Sequence, residues 1–427
     1  MSKPTEIDKA WEQLFDQYKI LTHVANDGMF RITSKQINVL RQARLMAKFD
    51  QSAQLPTIFL ENGLSILPVT KGNYLIGPFK THEKIDYSPL KPTSVAVPPL
   101  ETIDSKNLYS ESAVLFFAYN SGIIKDIMNT DRVRMTVSGR MGSGDFSFSI
   151  QNTDNPQSSA KIDVKNSQIE IDAGFESPEA FMVCEAKNQA SEELLIRQLY
   201  YPYRLWCNKI SKPVIPMFLA FSNDIFHAFT YKFMDIQDYN SLTLENYRQY
   251  TFAEENVALQ DIIDLWSSIV IIDEPSITFP QADSFPRVLD LLSVLHEAEL
   301  NRSEVTMKYE FDPRQTTYYV SACKYLGLVE HFFTGTNGQK YRLTKEARTI
   351  MSLPYKKKHL ALVKKILERP VFHKAFRIFV NSKKLPDKNE IYQIMASSNL
   401  SIGRETLGRR WVCKSLVGVL PAQFSLV

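Results

Sequence analysis

The chain has 427 residues, and at about 150 residues per domain it divides into two or three units rather than one. Hydrophobic residues at 44% and charged residues at 23% exclude a disordered, collagenous or coiled-coil chain. Lys plus Arg total 50 against 47 Asp plus Glu, a net of +3 that does not by itself mark a nucleic-acid binder.

Residues 1–15 lack the basic-then-apolar pattern of a leader, and the most apolar stretch, 262–272, is hemmed by Asp261, Asp264 and Asp273. The expectation is a soluble, cytoplasmic protein with no membrane partner. Cys184, Cys207, Cys323 and Cys413 show no metal-binding or haem-attachment spacing and read as buried thiols in a reducing compartment.

The chain opens with helical periodicity at Trp11, Leu14, Phe15 and Tyr18, and a second helix is expected from Thr33 or Ser34 to Phe49. Thr57 to Leu60, Leu64 to Val69 and Tyr74 to Ile76 read as three strands between Asn62-Gly63 and Gly72-Asn73 turns. Pro89, Pro92, Pro98 and Pro99 then mark a linker or wrapping segment, because proline fixes φ and withholds a donor. Residues 1–100 are therefore taken as an N-terminal α+β domain ending in a Pro-rich linker.

A helix is expected over 109–128, then strands Arg132 to Val137 and Phe146 to Ile150, joined as a hairpin through Gly139, Gly142 and Gly144. Strands follow at Lys161 to Val164, Gln168 to Ile171 and Phe181 to Ala186, then a helix Ser191 to Trp206 and strands Val214 to Phe221 and Phe226 to Phe233. That order predicts an α+β layer with a mixed central sheet over 101–280. From Phe285 the pattern turns to helices Phe285 to Leu300, Ser303 to Tyr309 and one beginning at Asp312, with Pro313 in its first turn and Gly327 stopping it. Strands Val329 to Phe333 and Lys340 to Leu343 flank the turn Gly335-Thr336-Asn337-Gly338. Three helices and a hairpin over 281–354 predict a winged helix-turn-helix.

The last segment, 355–427, holds ten Lys and five Arg against one Asp and three Glu, so fifteen cations less four anions give +11, and the first 354 residues carry −8. The near-neutral total conceals an acidic body and a basic, mostly helical tail. Within it, residues 401–411 with Arg404, Arg409, Arg410 and Trp411 read as a turn into a second recognition helix, with Lys414 beyond.

The chemistry centres on two strands. Ile169-Glu170-Ile171-Asp172 ends one, and Val183-Cys184-Glu185-Ala186-Lys187 forms the next. Side chains two apart on a strand share a face, so Glu185 and Lys187 point together while Cys184 and Ala186 pack on the other side. A turn within the twelve intervening residues would bring Asp172 alongside, and the three would converge at one sheet edge. Two hard carboxylates suit Mg²⁺, which keeps waters and binds phosphate, and a neighbouring ammonium can orient the attacking water. The competing reading is a solvated Glu–Lys edge pair, since one or two such triplets are expected roughly by chance in a chain this long. Gly72 to Gly77 lacks the Gly-Lys-Ser/Thr ending of an ATP site, Gly139 to Gly144 has the wrong dinucleotide spacing, and no HExxH or GxSxG is present. No ATP is therefore expected.

In the helix beginning at Asp312, residues 316, 319, 320, 323 and 326 form an apolar stripe. Arg314, Thr317, Tyr318, Ser321 and Lys324 face outward, a mixture suited to base edges and phosphates, with Lys340 and Arg342 in the wing.

Asp172, Glu185 and Lys187 on consecutive strands resemble the signature of the PD-(D/E)XK nuclease superfamily, with Ile171 where the family has proline. The helix containing Arg197, Gln198 and Arg204 resembles the one that follows the motif in many type II restriction endonucleases, which implies a basic-polar face able to reach the scissile strand. The resemblance covers 105–235 for the nuclease core and 285–425 for DNA-binding modules. It implies metal ligation by Asp172, Glu185 and the Ala186 carbonyl, water orientation by Lys187, and added roles for Glu111 and Gln198. It further implies Mg²⁺ with Mn²⁺ as a substitute, double-stranded DNA as substrate, products with 5′-phosphate ends, a homodimer, and a cognate DNA methyltransferase as functional partner. The alternatives are a non-catalytic winged-helix regulator, and a nuclease directed at modified DNA.

Overall fold

The computed structural model describes residues 5–398 except 89, 106–107, 156, 253–256, 278, 281, 283, 309–312 and 334–337. The N-terminal unit starts with α1 (Glu6–Gln17) and α2 (Ile20–Asp27), then β1 (Phe30–Thr33), α3 (Ser34–Asn38), α4 (Ala43–Met46), α5 (Thr57–Glu61), β2 (Ser65–Thr70) and β3 (Asn73–Gly77). The expected helix from 33 to 49 is two short pieces, because the Asn38 side chain accepts from the Ala43 N–H at 2.7 Å and turns the chain there. The expected strand at Thr57 to Leu60 is a helix. The Asp8 carboxylate on α1 accepts from the Thr57 N–H at 2.9 Å, and Phe59 packs edge-on against Trp11. A helix satisfies both partners, and tertiary contact overrides the β-branched propensity.

Short strand β4 (His82–Lys84) and the two-residue β5 (Thr93–Ser94) follow, and β5 shows the proline-rich segment wrapping the main sheet. The expected helix over 109–128 is broken by Gly122, at φ +86°, into α6 (Glu111–Asn120) and α7 (Ile123–Met128). Next come β6 (Arg134–Gly142), β7 (Asp145–Gln151), β8 (Ser159–Lys165), β9 (Gln168–Glu176), β10 (Phe181–Lys187), β11 (Glu193–Leu195), α8 (Ile196–Lys209), β12 (Val214–Ser222), β13 (Ile225–Phe233), β14 (Leu242–Thr251) and α9 (Leu259–Ser268).

Seven strands form one mixed sheet in the order β5-β14-β13-β12-β10-β9-β6, with β10 and β12 parallel and the other central pairs antiparallel. The expected hairpin between β6 and β7 does not form. The first joins β9 in the main sheet, and the second pairs with β8 in a separate two-stranded ribbon. Gly139, at φ +101° in β6, sits at one of two register shifts against β9, where the strand bends out of plane. The helix expected from Ser191 starts at Ile196, its predecessors having become β11 beside β4. β14 and α9 had no counterpart in the expected elements.

Helices α6 and α7 cover one face of the sheet with Val114, Phe117, Ile123 and Ile124 against Phe175, Cys184 and Met217. On the other face α8 buries Ile196, Tyr200, Tyr201 and Leu205 among β7, β8 and β9 residues, and Leu199 against Phe218 and Phe229.

The C-terminal part has α10 (Phe285–Glu297), β15 (Leu300–Asn301), α11 (Arg302–Lys308), α12 (Pro313–Tyr325), β16 (Val329–Phe333) and β17 (Gln339–Leu343), the strands forming an antiparallel sheet in the order β15-β17-β16. Helices α13 (Lys345–Met351), α14 (Tyr355–Leu367), α15 (Pro370–Ser382) and α16 (Lys388–Ala396) complete it. Thr316, Tyr319, Val320, Cys323 and Leu326 are all buried, as the α12 stripe requires, and Ala322 and Tyr325 join them. The fold is thus mixed α+β. Among the described residues no helix is long and apolar enough to cross a membrane.

Candidate active site

The two motif strands lie in the sheet interior, not at an edge as expected, and every residue of β10 is buried. Pairing of β9 with β10 ends at Ala173 opposite Cys184. Just beyond, the Ala186 N–H donates to Asp172 Oδ2 at 2.8 Å, so a side chain takes the place of the next backbone acceptor. Gly174, one step earlier in the pairing, allows the strands to close, because a Cβ there would meet Phe181 and Val137 side-chain atoms within 2.9 Å. The strands then part with Asp172 held between them.

Strand alternation sends Cys184 and Ala186 into the α6–α7 core, as expected. Glu185 and Lys187, 6% and 7% exposed, project together on the opposite side. The Lys187 ammonium lies 3.1 Å from Glu185 Oε1 and 3.2 Å from Glu111 Oε1. Glu111 is placed by the start of α6, where Ser110 Oγ accepts from the Ala113 N–H at 3.1 Å. Asn188, directly after Lys187, donates from Nδ2 to the Tyr109 carbonyl at 2.8 Å and ties the end of β10 to the start of α6. From the opposite face, Gln198 in the first turn of α8 donates from Nε2 to Glu185 Oε1 at 2.5 Å. Asp172, Glu185, Lys187, Glu111 and Gln198 are therefore brought into one cluster from two strands and two helices. Nothing in the sequence singled out Asn188, whose role is visible only from its contact with Tyr109, 79 residues earlier.

Burial, with the Glu111 charge, lifts the Asp172 carboxyl to about 6 against the opposing Ala186 N–H. Burial pushes Glu185 well above the usual carboxylate range despite the Lys187 ammonium beside it. A divalent cation would offset the charge of such a pair. Asp172 Oδ1 and Glu185 Oε2 are the hard oxygens outside the contacts described, and they suit Mg²⁺. Among the described residues no group of three or more His, Cys, Asp and Glu is arranged to hold a metal unaided, so a Mg²⁺ ion here would draw further ligands from water and substrate.

Arg204, expected to help present a basic face, is instead buried. Its Nη1 donates to the Ser147 and Ile236 carbonyls at 2.9 and 2.8 Å and to the Tyr200 hydroxyl at 2.7 Å. A guanidinium so committed holds α8 to β7 and is not available to a nucleic-acid strand.

On α12, Thr317 is exposed and Tyr318, Ser321 and Lys324 are half-buried; Lys340 and Arg342 in β17 are also half-buried. The Arg342 Nε donates to Glu330 at 2.7 Å and its guanidinium lies over the Phe332 ring, which fixes the wing. The side chain of Arg314, and Arg404, Arg409, Arg410 and Lys414 entirely, lie outside the described residues. Several basic residues after 354 serve inside the protein. Lys358 is buried against Asp224 at 2.7 Å, Lys356 pairs with Asp261 at 3.1 Å, and Lys365 pairs with Glu346 and Glu368 at 3.1 and 3.2 Å. The +11 segment is accordingly not a free basic surface throughout.

Three family models match the chain, each described as a domain of unknown function: DUF6996 over residues 8–76, DUF6997 over 77–251 and DUF7226 over 287–413. No curated protein and no solved structure matches it.

Proposed function

We propose that this protein is a Mg²⁺-dependent, sequence-specific double-stranded DNA endonuclease of the PD-(D/E)XK type, with a winged helix-turn-helix in its C-terminal part. The observation that carries the reading is the convergence of Asp172, Glu185 and Lys187 from neighbouring strands into one buried cluster. Gln198 and Glu111 close that cluster from opposite faces of the sheet. A chance Glu-x-Lys triplet has no reason to be buried and to meet an aspartate, a glutamine and a second, partly exposed glutamate, since burying its two charges is costly. The element order helix, strand, helix, helix and two-stranded wing from 285 to 343 supports the second part of the reading.

Asp172, Glu185 and the Ala186 carbonyl would hold Mg²⁺, or Mn²⁺ as a substitute. The ion's chemistry is to activate a bound water and to offset charge growing on phosphorus. Lys187, fixed between two carboxylates, orients the water and the attacked phosphate. Gln198 keeps Glu185 Oε1 in place, which would leave the other carboxylate oxygen to hold the ion. Water oxygen attacks phosphorus, the bond to O3′ breaks, and the ends are a 5′-phosphate and a 3′-hydroxyl. Thr317, Tyr318, Ser321 and Lys324, with Arg314, read the major groove, while Lys340 and the segment with Arg404, Arg409, Arg410 and Lys414 neutralise phosphates. Two cuts per site call for a homodimer on a palindromic target, and a methyltransferase of the same specificity would protect cellular DNA.

The test is digestion of a DNA of known sequence in Mg²⁺ and in EDTA, followed by run-off sequencing of the ends. Discrete Mg²⁺-dependent cuts that vanish in Lys187→Ala support the proposal. Methylated and unmethylated copies of the same plasmid determine which is the substrate. Absence of cleavage of either copy in Mg²⁺ and in Mn²⁺ overturns it.

A further inference from the structure

The N-terminal unit grips the chain immediately before the helix that carries Gln198. The Gln51 Nε2 donates to the Glu193 carbonyl at 3.1 Å, and the Glu193 carboxylate accepts from the Ser52 N–H at 3.1 Å. β4 pairs with β11 from Lys84 opposite Glu193 to His82 opposite Leu195, and the Ile196 N–H donates to the Thr81 carbonyl at 3.1 Å. That bond fixes the first residue of α8, and two residues later Gln198 reaches Glu185 at 2.5 Å. Asp50, adjacent to this grip and 5% exposed, is among the charges that act on Glu185. The grip and the catalytic cluster are therefore parts of one connected structure.

We infer that Glu193 is a positioning residue for the proposed cleavage, through which the N-terminal unit sets the register of α8 and thereby the Gln198–Glu185 contact. The inference rests on the nuclease reading above. It gives the N-terminal unit a defined part in catalysis without contact with DNA. The Glu193 carboxylate adds a charge-assisted bond from the Ser52 N–H to this grip, and its loss loosens the first turn of α8. Misplacement on the order of 1 Å at such a site costs about 100-fold in rate.

The test uses full-length protein with Glu193→Ala, Glu193→Gln and Asp172→Ala. Single-turnover cleavage in Mg²⁺, DNA affinity in Ca²⁺, Mn²⁺ affinity and thermal melting are measured on each. Glu193→Ala is expected to cut at least about tenfold more slowly and to bind Mn²⁺ more weakly, with DNA affinity unchanged. Glu193→Gln keeps an oxygen acceptor for the Ser52 N–H and is expected to restore most of the rate. Cleavage by Glu193→Ala at the wild-type rate overturns the inference, as does a loss that Glu193→Gln fails to restore. If the wild type itself neither cuts DNA nor binds Mn²⁺, the nuclease reading fails first and the positioning role falls with it.

Discussion

Glu185 Oε1 receives the Gln198 amide at 2.5 Å while standing 3.1 Å from the Lys187 ammonium, so two donors from different elements meet on one carboxylate oxygen. Both charged side chains are buried, and that is what separates this cluster from an ordinary surface ion pair.

The two substitutions of Asp172 should differ in kind. Asp172→Asn keeps an oxygen for the Ala186 N–H, so the protein is expected to melt near the wild-type temperature while Mg²⁺-dependent cleavage disappears. Asp172→Ala removes that acceptor as well, leaving a backbone N–H unpaired at a cost of about 1–3 kcal/mol. Denaturant unfolding beside a plasmid nicking assay checks both, and equal stability of the two variants would contradict the acceptor role.

The pair Lys358–Asp224 joins α14 to the turn between β12 and β13, with each side chain 9% exposed. Lys358→Met strands a buried carboxylate and is expected to destabilise the protein by about 3–5 kcal/mol. Adding Asp224→Asn should recover much of that loss, because the stranded charge is gone. A double-mutant cycle by denaturant titration measures the coupling.

Asp290 on α10 accepts from the Ser222 hydroxyl at 3.0 and 3.1 Å, and burial lifts its carboxyl to about 7, against the opposing pull of that bond. Its folded value thus lies above the unfolded one near 3.8. Its contribution to stability is full below pH 3.8, declines as pH rises toward 7, and is lost above. Asp290→Asn should therefore be close to wild type in stability at pH 4 and more stable at pH 8. Melting curves at the two pH values decide this, and a wild type no less stable than the variant at pH 8 would contradict it.

On the proposed DNA face, Lys340→Ala is expected to weaken binding to all sequences alike and to lower the salt slope of log affinity by about 0.9. Thr317→Ala should instead relax preference at one base position with little change in salt slope. Fluorescence anisotropy over a salt series separates these effects. Lys358→Ala is the contrast, since an ammonium buried against Asp224 has no phosphate to neutralise.

The motif itself was legible because it is local. Strand alternation put Glu185 and Lys187 on one side and Cys184 and Ala186 on the other, and the folded chain keeps that division. Glu111 and Gln198 were identified only through a family resemblance, since 76 residues separate Glu111 from Lys187 and no short-range rule brings them to 3.2 Å. Arg204 shows the opposite error. The resemblance implies a basic-polar face there, whereas the turn after β13 and strand β7 supply the carbonyls that bury it.

By itself the sequence determined the alternation of apolar positions, the turn residues, the acidic body and basic tail, and the identity of the residues able to do chemistry. These depend on a residue and its near neighbours. Only the tertiary structure decided that β6 leaves β7 for β9, that Thr57 to Glu61 is helical, and that Lys356, Lys358 and Lys365 are spent on internal ion pairs. Each of those outcomes depends on a partner distant in sequence. A strand's edge, a helix's first N–H and a lysine's ammonium are all satisfied by whatever the fold brings within reach.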